Sequence, residues 1–456
     1  MSDAAAPPNA PATASVEVFN PRPSRPPPAD TVGVVGWMRR NLFSDVPNAL
    51  LTLLGAYLIV TLTAWVLDWA VFNAVWEAEN RRECLDTVGR AGACWPGVVA
   101  WFDNLIYGLY PKDQVWRINL GFLILVAWVV PLWMGRVRSK IGIGLSAVLL
   151  YPFLASYFFL GGEKGLLWTA LIALGLSAFV LAWATALSER ITGHTIGRLA
   201  LALAKVDPDD ETRARRTQQF AYAALYILCL GAVSLLSFEE VGTRLWGGLF
   251  LTLVISGFGI TFSLPAGVLL ALGRRSNLPV ISMLCTAFIE LFRSVPLITI
   301  LFMFNTMLPL FVPADVEVNQ LLRAIVAVCF FASAYMAEVV RGGLQAIPRG
   351  QIEAAQSLGL GYWKTTGLIV LPQALKIMIP SIVSVFIGLF KDTTLVSIIG
   401  LFDLMNMARA IGEDTTWLGL FIEPFFVVSL IYFAFCFAMS SYSIGLENKL
   451  SAGRNR

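Results

Sequence analysis

Four charged side chains stand inside stretches otherwise apolar enough to cross a bilayer: Glu290, Arg293, Lys391 and Asp392. A charge at that depth is costly, so it faces a polar cavity or a partner and marks a candidate path for a polar solute. Arg293 lies just before Pro296, whose missing N–H and fixed φ break or kink a helix. Its planar guanidinium is shaped to hold a carboxylate through two N–H donors. Ser294, Asn305 and Thr393 add neutral polar groups to the same candidate route. A local explanation stays open beside this one. Glu290 and Arg293 are three apart and can pair on one helix face, Lys391 and Asp392 can be satisfied by neighbours, and Asn305 can be a packing contact. Glu338 and Arg341 repeat the three-residue spacing near a helix end, where a local ion pair is the expectation.

The chain has no Gly-Lys dipeptide and therefore no phosphate-cradling P-loop; Gly-x-Ser-x-Gly, His-Glu-x-x-His and Cys-x-x-Cys are absent too. His194, the one histidine, lies in a basic loop without companion ligands. No catalytic residue, cofactor site or metal site is expected, and any ATP hydrolysis belongs to another subunit. The formal charge of +3 is spread between loops, which argues against a nucleic-acid partner.

The elements that must position these residues are membrane helices. Of the residues, 57% are hydrophobic and 14% charged, well away from a soluble domain. Apolar runs predict about ten crossings, near 48–69, 118–134, 141–160, 166–187, 220–237, 246–272, 282–311, 322–343, 372–390 and 418–440, the seventh long and interrupted. Arg39 and Arg40 place the N-terminus in the cytosol. The basic loops at Arg136–Lys140, Arg190–Arg216, Arg274–Arg275 and Arg341–Lys364, and the tail from Lys449, then fall on the same side. The segment 71–117 fits least well, because Arg81, Arg82, Arg90, Lys112 and Arg117 would lie outside. It also holds Cys84 and Cys94, either a disulfide closing a small external loop or two unpaired thiols. The other four cysteines lie in apolar helices as small hydrophobes. The first 30 residues, rich in Pro and Ala, have no apolar core followed by a cleavage site and read as a disordered tail.

Between two of the crossings, at 344–372, Pro348 and Gly350 end one helix and Gly359 offers a stop, which predicts about two helical turns between them. Ile352, Ala355 and Gly359 share a face; Ala354 and Ala355 are small enough for close approach, and Glu353 is available for pairing. The pattern Glu353-Ala354-Ala355, Gly359, Ile369 and Leu371-Pro372 resembles the EAA loop of bacterial ABC-importer permeases. That resemblance covers about 246–449. It implies a coupling helix in a groove of a cytosolic ATPase, with Glu353, Ala354, Ala355 and Gly359 as docking residues.

Glu290 to Pro296, Ala337 to Leu344 and Lys391 to Leu395 resemble the polar amino-acid branch, of the histidine and glutamine type. The extra N-terminal helices and the Cys84 to Cys94 loop resemble general L-amino-acid permeases for glutamate, glutamine and aspartate. The resemblance implies an all-α polytopic protein of the bacterial inner membrane whose last five helices form a type I importer core. It also implies a dimer of ATPases binding ATP and Mg, a second permease subunit, either a homologous chain or a second copy, and a periplasmic amino-acid-binding protein.

The expected organisation is a cytosolic tail at 1–40, an accessory region at 41–240 with the external loop 71–117, a core at 241–449 with the coupling loop 344–372, and a cytosolic tail at 450–456. An ion-coupled secondary amino-acid transporter is the competing function, for which inverted repeats would be expected; no repeat is evident.

Overall fold

The computed structural model describes residues 33–89, 91–135, 137–162, 165–191, 211–313 and 318–451. Most of the expected N-terminal tail, Arg90, Arg136, His194 and residues 452–456 lie outside that set. Two compact units are distinguished. The first, Met1–Ala74 with Ala91–Ala93, contributes α1 (Gly33–Asn41) and α2 (Val46–Leu67). Asp45 caps α2 by accepting from the Asn48 N–H at 2.9 Å. Apolar on all sides, α2 has the composition of a helix facing lipid.

The second unit is Val75–Arg90 and Cys94–Arg456. It opens with three short helices, α3 (Arg81–Val88), α4 (Pro96–Ala100) and α5 (Phe102–Tyr107). Four long helices follow: α6 (Val115–Trp133), α7 (Lys140–Leu160), α8 (Leu166–Ile191) and α9 (Glu211–Leu235). Trp128, Leu154 and Ile172 are among the residues buried between them.

The remaining elements are α10 (Gly248–Arg274), α11 (Pro279–Ser294), α12 (Leu297–Met307), α13 (Gln320–Gln345), α14 (Arg349–Ser357), α15 (Tyr362–Thr365), α16 (Leu371–Asp392), α17 (Leu404–Glu413) and α18 (Ile422–Ser451). The expected seventh crossing is two helices, bent by 108° at Val295–Pro296. Among the described residues nine helices are long and apolar enough to span a bilayer, ten spans if the bent pair is one. Packing decides for one. Going along α10, Thr243 just before it meets Asn319, Gly259 packs on Val328 and Gly267 on Met336, and Arg274 meets Glu338. Both numbers rise together, so α10 and α13 are parallel, and the chain between them crosses once.

Glycine permits these close crossings. A Cβ at Gly267 would lie 2.7 Å from Met336 and 2.9 Å from the Ala337 backbone, and one at Gly343 would lie 2.8 Å from the Ala374 carbonyl. In lipid, where apolar surface alone does not drive association, such small residues bring helices into contact.

The basic residues that fitted the charge rule least well are mostly engaged locally. Arg117 is buried, donating to the Phe158 carbonyl at 2.8 Å and the Glu239 carbonyl at 3.0 Å and lying over the Phe238 ring. Arg81 pairs with Glu423 and Lys112 lies 3.9 Å from Asp103. The segment holding them is no detached loop. Backbone bridges join Gly108 to Trp246, Gly247 to Phe402 and Gly248 to Asp403, which sews α5 to the start of α10 and the start of α17.

Gly267→Leu should destabilise the protein by about 1–3 kcal/mol through overpacking. Gly257→Leu on the same helix, where nothing lies within 4 Å, should leave it nearly unchanged. Thermal denaturation of the two variants in detergent checks this.

Candidate functional site

The loop after α13 is built to present a short helix. Pro348 is the N-cap of α14, which runs nine residues to Ser357. Its end is a Schellman turn: the Gly359 N–H donates to the Gln356 carbonyl at 2.9 Å and the Leu360 N–H to the Ala355 carbonyl at 3.2 Å. That turn needs a left-handed residue, and Gly359 has φ +73° with open space where a Cβ would stand. Backbone conformation, not crowding by its own chain, is what requires glycine here.

The two alanines separate. Ala354 is exposed, whereas Ala355 is buried in its own chain, against the expectation that both methyls face a partner. Ile352 packs against the apolar cluster that includes Leu344, Val370 and Ala374, and Ala355 is buried, so these two residues form the inward face of α14. Glu353 and Ala354 point out, joined by Leu358, Tyr362, Trp363 and Leu368, all exposed. A rim of exposed apolar side chains around a short charged helix is surface that a protein partner would cover.

Behind this loop is a node of charge. Glu338, 13% exposed, meets three arginines on three helices: it accepts hydrogen bonds from Arg274 of α10 at 2.7 Å and from Nε of Arg341 of α13 at 2.8 Å, and pairs with Arg293 of α11 at 3.5 Å. Arg274 also meets Glu290 at 3.0 Å. The expected Glu338–Arg341 pair is present. The expected Glu290–Arg293 pair is replaced by cross-helix partners, because the end of α10 lies against α11 and offers a closer guanidinium. Three guanidiniums on two carboxylates leave one positive charge in excess. Arg293 is the loosest of the three and lies over the Tyr335 ring at 5.7 Å, so most of its N–H donors remain available.

The remaining path candidates lie elsewhere. Leu389 packs beside Gly259 and Val328, ten residues of α13 before Glu338, so Lys391, Asp392 and Thr393 stand about 15 Å along the helix from the node. Lys391 is exposed. The Thr393 hydroxyl donates to the Phe390 carbonyl at 2.7 Å and that of Ser294 to the Leu291 carbonyl at 3.0 Å. Asn305 on α12 has a buried Oδ1 without a partner among the described residues, while its backbone carbonyl accepts from Arg323 at 2.7 Å. The structure thus brings Glu290 and Arg293 together and does not join them to Lys391, Asp392 and Thr393.

Arg274 was read in the sequence only as a topology marker, and Tyr335 and Arg323 were not singled out. The only local sign of Arg274 is its place at the end of an apolar run. Cys84 and Cys94 are joined as a disulfide. Among the described residues no group of three or more His, Cys, Asp and Glu is placed to hold a metal ion.

Residues 263–450 match the family described as binding-protein-dependent transport system inner membrane component. The chain is 39% identical to the inner membrane amino-acid ABC transporter permease protein YhdY of Escherichia coli K12, over 96% of this chain and 99% of that one. It is 40% identical to the glutamate/glutamine/aspartate/asparagine transport system permease protein BztC of Rhodobacter capsulatus, over 95% of this chain and 97% of that one. The probable glutamine ABC transporter permease protein GlnP of Bacillus subtilis is 37% identical over 203 residues, which are 44% of this chain and 92% of that one.

Glu338→Ala removes the carboxylate that three partly exposed arginines share and should cost about 1–3 kcal/mol. Arg341→Ala removes a partner whose side chain is 39% exposed and should cost less than about 1 kcal/mol. Denaturant titration of both purified variants measures the ratio.

Proposed function

The chain belongs to the amino-acid permeases of binding-protein-dependent ABC importers, and we propose that it carries acidic amino acids and their amides into the cytosol, driven by an ATPase docked on α14. The observation that carries this is the division of that helix: Ile352 and Ala355 hold it to the transmembrane core, and Glu353, Ala354 and Leu358 are left for a partner. Force applied to a rigid helix anchored this way moves α13 and α16 with it. Two ATPase subunits bind ATP and Mg, and their closure and reopening alternate the access of a cavity shared with a second permease subunit, a homologous chain or another copy. Substrate arrives on a periplasmic amino-acid-binding protein.

In this reading both termini are cytosolic, supported by Arg39 and Arg40 at the end of α1 and by the basic ends of α10 and α13. The region 41–240 is accessory and 241–449 the transport core. That division is supported by the family match at 263–450 and by a glutamine permease whose length corresponds to less than half of this chain. Arg293 holds a substrate carboxylate on the inner side of the bend at Pro296, and Asn305 and Lys391 to Thr393 line the outer part of the route. The acidic and amide substrates named for the Rhodobacter relative support this choice. Relatives aligned along nearly their whole length are ABC permeases, which gives an ion-coupled mechanism no support.

The wild-type permease should co-purify with its ATPase, and Glu353→Lys should reduce the recovered ATPase at least tenfold while leaving the permease folded. Undiminished ATPase binding and ATP-dependent uptake in that variant would refute the docking assignment. In vesicles, glutamate and aspartate should compete for uptake, and Arg293→Gln should raise the KM for glutamate about tenfold or more, the loss of a charge-assisted contact. Failure of acidic amino acids to compete removes Arg293 from the substrate route.

A further inference from the structure

The segment from Val75 to Pro111, interrupted by the Ala91–Ala93 stretch of the first unit, precedes the accessory helices in sequence yet is built into the core. Cys84 and Cys94 close it as a disulfide. The buried Glu423 carboxylate, in the first turn of α18, accepts from the Cys94 N–H at 3.0 Å and from Arg81 at 3.4 Å. The Arg81 N–H donates to the Thr416 carbonyl at 3.0 Å. Gly97 lies under Trp417 and Leu420 so closely that a Cβ would stand 2.4 Å from Leu420. Leu105, fully buried, touches Gly248 at the start of α10. The disulfide closes the segment on itself, while the Arg81–Glu423 ion pair, the Gly97 contact with Trp417 and Leu420 and the single backbone bridge from Gly108 to Trp246 fix it to the start of α10, the turn between α17 and α18, and the first turn of α18.

What it presents outward is not neutral surface. Trp76, Val99, Phe102 and Leu109 are 61%, 68%, 49% and 50% exposed. Around the disulfide, Glu77, Glu79, Glu83 and Asp86 are exposed beside one exposed arginine, Arg82, while Arg81 is committed to Glu423. Rigid apolar anchors with a polar rim are the anatomy of a docking surface, and the excess of carboxylates selects a partner with a basic face.

We propose that the disulfide-closed segment is a docking platform for the amino-acid-binding protein, which meets it through basic residues. The proposal rests on the importer reading above, and two features favour this occupant. A disulfide persists on the oxidising side of the membrane, where such a protein resides. The platform is also continuous with the outer ends of the transport helices, where a delivered substrate must enter.

The test uses the full permease–ATPase assembly in nanodiscs and purified periplasmic amino-acid-binding proteins, each tried first for stimulation of wild-type ATPase activity. The one that stimulates is then titrated against Glu77→Lys/Asp86→Lys and, separately, Val99→Glu. Both variants should bind it at least tenfold more weakly, with basal ATPase activity unchanged. The wild-type affinity should fall with salt more steeply than that of the charge-reversed variant. Unchanged affinity in both variants overturns the platform and leaves the importer reading standing. So does a loss traced to separation of the permease subunits. Absence of stimulation by every binding protein removes the importer reading and the platform with it.

Discussion

One partly buried carboxylate, Glu338, organises the end of the core that carries α14. A carboxylate in an apolar bundle is costly without partners, and Glu338 finds them on α10, α11 and α13. Much else follows from holding those three helices together at one level. The parallel run of α10 and α13 ends at this node, so the intervening chain must cross once. The bend at Pro296 begins three residues beyond Arg293, within reach of the same charge. The loop carrying α14 leaves α13 seven residues after Glu338, and its inward face packs into the apolar cluster beneath the node, with Val340 and Leu344.

Much of the architecture was legible because the bilayer imposes a length. A span needs about 20 apolar residues, and the predicted runs at 48–69, 141–160 and 322–343 correspond to helices at Val46–Leu67, Lys140–Leu160 and Gln320–Gln345. The helical stop at Gly359 was legible too, since a glycine after a short amphipathic turn has few other uses. What escaped was long-range. Arg274 and Glu338 are 64 positions apart, and nothing in a period of 3.6 reports such a pair. The same blindness put both alanines of the coupling helix on the partner side, because burial of Ala355 depends on where α13 and α16 lie.

The segment 71–117 carries local structure that its sequence did not announce. Its arginines fitted the charge rule poorly since that rule describes free loops, while Arg117 is a buried structural donor and Arg81 half of an ion pair. The adjacent glycines 247 and 248 were the available signal, as they let the chain backbones at Gly108 and Leu105 approach. The segment's attachment also changes the meaning of the N-terminal region, since part of it is packed against the start of α10 and the start of α18.

The central claim is that α14 is the element through which ATP hydrolysis elsewhere moves this membrane bundle. It is tested most directly by placing a photo-crosslinking residue at position 358, which is exposed beside Gly359, in the full assembly. The account predicts a crosslink to the ATPase subunit whose yield changes when ATP is bound. Crosslinking to lipid or to a periplasmic protein, with none to the ATPase in either state, would contradict it.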